Sequence, residues 1–142
     1  MEMTSKQLVL VQSAASTQRG LDVTSVLSRA GWDVSVIRDV PTLAAWQRER
    51  PRASPVGLIV LDPIDAFDVR EIEAAIAASC TDWIAILPRE ALASSTFARF
   101  AVHSCYDFHT LPLDLDRLLV VLGHALGRVQ IRKSTRLNSS HG

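Results

Sequence analysis

Asp62 is the residue whose position most strongly suggests chemistry. It directly follows the apolar run 56–61 and directly precedes Pro63. A carboxylate at the end of a buried strand could accept a phosphoryl group, but aspartate is also a common turn residue at such places. The position of Asp62 therefore leaves a functional carboxylate and a structural turn residue as equal interpretations.

A second acidic group, Asp107, stands close to a histidine. Asp107 and His109 flank Phe108, so both side chains lie on the same face of an extended strand. Such a pair takes part in catalysis when it activates a nucleophile, and the sequence shows no recognised pattern that supplies one. We therefore expect hydrogen bonds between this strand and a helix, and no enzymatic activity.

Other potential binding motifs are weak. His103 and His124 are isolated on predicted helices, and Gly57 and Gly123 form no glycine-rich phosphate loop. The 15 basic and 15 acidic residues give a formal net charge of zero, whereas a nucleic-acid-binding surface needs excess positive charge. The sequence predicts no metal site, no cofactor and no direct contact with nucleic acid.

The two cysteines and the amino-terminal segment favour a cytoplasmic protein. A chain that is 48% hydrophobic can form a core without a disulfide, so we expect Cys80 and Cys105 to be free thiols. The apolar run 8–11 is too short for a signal peptide. No apolar run approaches the roughly 20 residues of a membrane span.

Strand-like and helix-like segments alternate along the chain, which predicts a parallel sheet covered by helices on both faces. We expect a single α/β domain over 6–129, after a leader 1–5, with a flavodoxin-like doubly wound sheet of five parallel strands in the order 2-1-3-4-5. The predicted strands are 7–12, 33–37, 56–61, 82–87 and 106–109, and the predicted helices are 21–30, 40–50, 69–79, one that begins at 94–95, and a last helix capped by Asp114.

The segment 130–142 departs from this pattern. It is polar and shows no hydrophobic periodicity, so we expect a disordered tail. Its sequence resembles translated sequencing-adapter read-through. We expect it to be foreign, and the natural protein to continue past Val129.

In an open parallel sheet the functional crevice lies at the carboxyl ends of the strands. Together with Leu58-Ile-Val-Leu-Asp62 on the third strand, the run Cys105-Tyr-Asp-Phe-His-Thr-Leu-Pro112 resembles a response-regulator receiver domain over residues 6–129. This resemblance implies that Asp62 stands at the phosphoacceptor position. The other positions that serve phosphorylation in receivers are degenerate here: Gln12 and Ser13 replace the acidic pair, Pro88 replaces the hydroxyl residue, and Leu111 replaces the lysine.

A narrower resemblance comes from the segment 106–119 and from Leu122-Gly-His-Ala125. Both are similar to the atypical receiver of VpsR-type transcriptional regulators. That resemblance implies a signalling module placed before a sigma-54-interacting ATPase and a helix-turn-helix, with control of exopolysaccharide and biofilm genes in response to cyclic di-GMP.

The receiver resemblance also implies an interaction face formed by the fourth helix, the fifth strand and the last helix. The sequence adds a charged outer side of the last helix beside two apolar residues, and we expect a weak homodimer through this face. Its predicted members are Asp107, Asp116, Arg117, Val120, Val121 and Arg128.

The leading hypothesis is therefore a non-catalytic receiver-like regulatory domain that acts through protein contacts. One alternative is a working receiver that is phosphorylated on Asp62. A less favoured alternative is a small flavodoxin-like enzyme or ligand binder, which would need a phosphate loop or a convergent polar pocket.

Overall fold

The computed structural model describes residues 6–18, 20–49 and 56–139, with side chains described as far as residue 128. The predicted leader 1–5 and residues 140–142 lie outside the described residues. Within them the five strands are β1 (Gln7–Val11), β2 (Asp33–Ile37), β3 (Val56–Val60), β4 (Asp82–Pro88) and β5 (Asp107–Leu111).

All neighbouring strands pair in parallel, in the order β2-β1-β3-β4-β5. The predicted flavodoxin-like topology is confirmed. β3 lies at the centre and every one of its residues is buried, which explains its uninterrupted apolar sequence. The edge strands β2 and β5 contain most of the half-buried and exposed strand positions.

Among the described residues, six α-helices connect and follow the strands, and two further helical turns lie between β4 and β5. The helices are α1 (Ala14–Gln18), α2 (Val23–Arg29), α3 (Val40–Glu49), α4 (Val69–Ala77), α5 (Ser95–Arg99) and α6 (Leu115–Ser139). A 3₁₀ turn, Arg89–Ala93, precedes α5, and a π-helical turn, Phe100–Ser104, follows it.

The first predicted helix differs from the observed one. The chain forms two short helices here, and Gly20 lies between them with a φ of 91°, a conformation that favours glycine and ends a helix. The second helix begins after Asp22, whose carboxylate accepts a hydrogen bond from the backbone N–H of Ser25. The predicted Asp114 cap is confirmed, because its carboxylate accepts from the N–H of Arg117 at 3.1 Å.

The last helix also runs further than expected. Its backbone remains helical to Ser139, so the described part of the segment expected to be disordered, 130–139, is helical. Extending an existing helix avoids the unfavourable nucleation step, and leucine, lysine, arginine and glutamine carry little helical cost. The absence of an apolar stripe was therefore not sufficient to predict disorder. The foreign origin of this segment stays a prediction.

Alternating residues of the central strands form two cores, one on each face of the sheet. Val9 and Ile59 pack on the face covered by α3, α4 and α5. Leu8, Leu10 and Leu58 pack on the face covered by α2 and α6. This two-sided burial fixes the register of the strands and therefore the positions of the residues at their carboxyl ends.

Trp32 and Trp83 are buried, and Trp46 packs at the edge of the core. The indole of Trp83 covers Gly57, where any Cβ would overlap the ring. The Trp83 Nε1–H donates to Ser79 Oγ at 2.9 Å. This contact ties the beginning of β4 to the segment that follows α4.

Candidate functional site

The carboxyl ends of β3 and β4 form a shallow cavity around Asp62. Asp62 lies two residues beyond the end of β3, and only 8% of its surface is exposed. The cavity has a volume of about 210 Å³ and is lined by Asp62, Pro63, Ile64, Pro88 and Glu90. The structure therefore brings two of the predicted site residues, Asp62 and Pro88, to one place.

Neither of the predicted site residues at the ends of β4 and β5 has a side-chain group that could hold an anion at Asp62. Pro88 and Leu111 are register partners on these two strands. Proline has neither a hydroxyl nor an N–H to donate. Leu111 packs against the core under α2 and α6 and carries no charge.

Gln12, at the end of β1, is buried and points into the segment that follows the strand. Its Nε2 donates to Ser16 Oγ and to the carbonyl oxygen of Leu21, both at 2.9 Å. Ser13 Oγ accepts from the N–H of Ser16 at 3.2 Å. These contacts hold α1 and the turn before α2 against the end of β1.

Arg38 is a site residue that sequence reasoning missed. It directly follows β2, and its Nη1 donates to the carbonyl oxygens of Gln12 (3.3 Å) and Ser13 (3.5 Å) and to Thr17 Oγ1 (3.0 Å). A positive charge therefore already lies against the carbonyl groups at the end of β1. The available signal was an arginine at the carboxyl end of the neighbouring parallel strand.

Magnesium is the cation that the receiver resemblance implies for such a site, and the donor set does not fit it. Two carboxylates, those of Asp62 and Glu90, line the cavity. Across the ranges 6–18, 20–49 and 56–139, no three His, Cys, Asp or Glu residues form a group that could hold a metal ion. Mg²⁺ needs near-octahedral oxygen coordination, and the side chains of Gln12 and Ser13 already have hydrogen-bond partners in their own segment.

Glu90 was also missed by sequence reasoning. It lies in the 3₁₀ turn that follows β4. Its position two residues beyond Pro88 was a signal that it would reach the same edge of the sheet.

His109 is confirmed on the same face of β5 as Asp107, but the predicted hydrogen bonding was wrong. The imidazole is 3% exposed, and its Nε2 lies 3.8 Å from Asp107 Oδ2, with no hydrogen-bond partner among the described residues. Burial lowers the pKa of His109, although the Asp107 carboxylate opposes this effect. The side chain is therefore an uncharged packing residue at neutral pH.

The other predicted members of the interaction face separate into two places. Asp116, Arg117 and Val120 are exposed near the beginning of α6, and Val120 keeps 57% of its surface exposed. Val121 is half-buried and packs against the core.

Arg128 lies further along α6 and has contacts within the domain. Its guanidinium is 4.5 Å from the centre of the Tyr106 ring, and its Nε is 3.7 Å from Asp82 Oδ2. The structure thus assigns Arg128 a contact with the beginning of β4 and β5.

Both cysteines are free, as expected from the composition. Cys80 is exposed and Cys105 is half-buried. Burial, and to a lesser extent the nearby Glu73, raises the pKa of the Cys105 thiol to about 12. No helix among the described residues is long and apolar enough to cross a membrane.

The strand order, the covering helices and the aspartate at the end of β3 define a receiver-type α/β domain. The receiver domain of the response regulator TorR of the TMAO respiratory system superimposes with a TM-score of 0.64 at 22% identity, over 86% of this chain and 97% of that chain. The receiver domain of a sensor histidine kinase from Pseudomonas aeruginosa, which has a magnesium ion in its active-site cleft, gives 0.64 at 18% identity, over 87% and 99%.

The same fold occurs in a protein with a different description. A structure described as an adenylate cyclase from Rhodopirellula baltica gives a TM-score of 0.71 at 12% identity, over 98% of this chain and 100% of that one. No curated protein sequence matches the chain significantly. The family model of the VpsR domain matches residues 1–123, and the chain belongs to this family.

Replacing Gln12 by glutamate tests the role of its amide. A carboxylate cannot donate to Ser16 Oγ or to the Leu21 carbonyl, so we expect Gln12→Glu to lower the free energy of unfolding by at least about 2 kcal/mol at pH 7. The loss should shrink as the pH falls toward 4, because a protonated carboxyl recovers one donor. Urea unfolding followed by circular dichroism measures both effects.

The matched control is Ser13→Asp, one residue along. Aspartate caps a helix as well as serine does, so the free energy of unfolding should change by less than about 0.5 kcal/mol. Equal stability of Gln12→Glu and Ser13→Asp would contradict the assigned hydrogen bonds.

Proposed function

We propose that this domain is a non-catalytic receiver-like regulatory module that works through protein contacts, without the ordinary phosphorylation switch. One observation carries the proposal: the ends of β1, β4 and β5 present Gln12, Ser13, Pro88 and Leu111 where a working receiver needs acids, a hydroxyl and an ammonium group. Asp62 retains its place at the end of β3 as a buried carboxylate.

The energetics of switching support this proposal. A modification shifts an equilibrium only by the difference in free energy that it has between the two states. A phosphoryl group on Asp62 would face Pro88 at the end of β4, and Leu111 at the end of β5 packs against the core instead of offering a positive charge. Each missing charge-assisted hydrogen bond is worth roughly 1.5–3 kcal/mol. Without them, phosphorylation would gain too little free energy to reorganise the ends of β4 and β5.

Membership of the VpsR domain family supports a further proposal about the protein in which this domain acts. We propose that the domain is the N-terminal signalling module of a cytoplasmic sigma-54-dependent activator of the exopolysaccharide and biofilm type. Its partners would be the ATPase and DNA-binding domains that follow in the natural protein, past Val129. Its balanced charge favours protein partners over nucleic acid.

The absence of a phosphorylation switch can be tested with beryllofluoride and acetyl phosphate in the presence of Mg²⁺. We expect the backbone ¹H–¹⁵N spectrum to change little, with no shifts that spread from Asp62 to α6. Asp62→Asn is the matched control, and it should give the same spectrum under both conditions. Large shifts that reach α6 in the wild type and vanish in Asp62→Asn would instead establish a phosphorylatable receiver.

We further propose that the domain forms a weak homodimer through β5, α6 and the turn before β5. β5 is an edge strand, and edge strands that stay uncovered favour association. Of the five large apolar side chains that are exposed among the described residues, three flank this strand: Val102 on the π-helical turn, and Leu115 and Val120 on α6. Asp116 and Arg117 lie beside them and are also exposed, so two copies could pair opposite charges.

Sedimentation velocity across micromolar concentrations tests this surface. We expect reversible dimerisation with a Kd on the order of 10–100 μM, and Val120→Asp and Arg117→Glu should each weaken it about tenfold, or 1.4 kcal/mol. Val36→Asp is the matched control, because Val36 is 38% exposed on the opposite edge strand β2. A strictly monomeric wild type, or equal effects of Val36→Asp and Val120→Asp, would contradict this interface.

A further inference from the structure

A second and larger cavity lies between α3 and α4. Its volume is about 480 Å³, which is within the roughly 300–1,000 Å³ of small-molecule sites. Its lining continues past the end of α4 to Thr81, directly before β4. The cavity is therefore at the opposite end of the sheet from Asp62, and no step of the proposed function uses it.

The two helices give this cavity walls of different character. The α4 side consists of the small side chains of Ala74 and Ala75 and continues to Ala78, which directly follows the helix. The α3 side is formed largely by the aromatic side chain of Trp46. A wall of alanines beside an indole leaves a space suited to a flat aromatic ring.

Two polar groups of α3 indicate which kind of ligand the cavity would bind. The side-chain nitrogen of Gln47 is buried and has no hydrogen-bond partner among the described residues. Among the described residues that line the cavity, Arg48 is the charged side chain and none is a carboxylate. An unsatisfied donor and a positive charge on the same wall favour a ligand that carries an anionic acceptor.

The hydroxyl of Ser79 at the rim is already satisfied and does not compete for such a ligand. It accepts from Trp83 Nε1 and donates to the carbonyl oxygen of Ile76, both at 2.9 Å. Among the described residues of the lining, Gln47 is the one whose side-chain donor is both buried and without a hydrogen-bond partner.

We propose that this cavity binds a small planar aromatic carboxylic acid. The ring fills the space between Trp46 and the alanine wall, and the carboxylate accepts from the Gln47 amide beside the Arg48 guanidinium. The site is independent of Asp62 and of the β5–α6 surface, so it remains testable whatever the outcome for the proposed function.

The probe is 2-naphthoate, titrated into the full ¹⁵N-labelled chain, with the neutral 2-naphthamide as its matched analogue. We expect saturable shifts of the Gln47 side-chain amide and of backbone amides at 44–48 and 74–81, with a Kd near or below about 1 mM for so small a ligand. The neutral amide should bind at least about fivefold more weakly, because it lacks the charge that Arg48 favours.

Four variants separate binding from general effects on the fold. Ala78→Phe fills the cavity from an exposed position and should weaken binding at least about tenfold. Ala77→Phe is its matched control, because Ala77 is equally exposed on α4 and does not line the cavity. Arg48→Gln should weaken 2-naphthoate and leave 2-naphthamide unchanged. Gln47→Leu should weaken binding while leaving the unliganded fold at least as stable, since it removes an unsatisfied donor.

Three results would overturn the proposal. The first is the absence of saturable shifts at 44–48 and 74–81 up to about five times the expected Kd. The second is binding that survives Ala78→Phe as well as it survives Ala77→Phe. The third is equal affinity for 2-naphthoate and 2-naphthamide, which would show that the site does not recognise a carboxylate.

Discussion

At the carboxyl end of β1 the chain buries an amide where the receivers it resembles bury acids. The Gln12 side chain donates to Ser16 Oγ and to the carbonyl oxygen of Leu21, and the hydrogen bonds of Arg38 to the neighbouring carbonyl groups hold the same segment from the other side. A carboxylate at this position could accept from the Ser16 hydroxyl but could not donate to the Leu21 carbonyl oxygen, which would lose its partner. The path of the chain from β1 to α2 therefore depends on the group that makes this edge unsuited to a metal ion.

The strand register similarly fixes which side chains stand near Asp62. The same sheet that holds Asp62 in place also places Pro88 and Leu111 in register at the ends of the next two strands. Neither Pro88 nor Leu111 has a side-chain donor for an added negative charge, whereas β5 is an edge strand and the beginning of α6 is exposed. In our account the domain contributes through a surface of constant shape, and any signal enters elsewhere, for example through a ligand between α3 and α4.

Much of the fold could be predicted from local sequence, because buried parallel strands are continuous apolar runs and each was separated from the next by a helical segment. The residue types at the strand ends followed from the same reasoning. The contacts of Gln12, Arg38 and Glu90 could not be predicted, because they depend on how loops fold back across the edge of the sheet. The hydrogen bonds expected between β5 and a helix were wrong for a related reason. The sequence places His109 on one face of the strand, but it does not set which helical groups lie within reach of its buried Nε2.

The central claim is that the residues at the neighbouring strand ends, Gln12, Ser13, Pro88 and Leu111, do not supply the chemistry of working receivers, and magnesium binding tests it most directly. Backbone amides around Asp62 would be followed by NMR during addition of MgCl₂ to the wild type and to Ser13→Asp. Our account predicts no saturable response of the wild type up to about 10 mM, since a single buried carboxylate and an exposed Glu90 form a poor magnesium site. The Ser13→Asp variant, which adds an acid at the end of β1, should respond more strongly. Saturable wild-type binding with a Kd below about 1 mM, lost in Asp62→Asn, would contradict it.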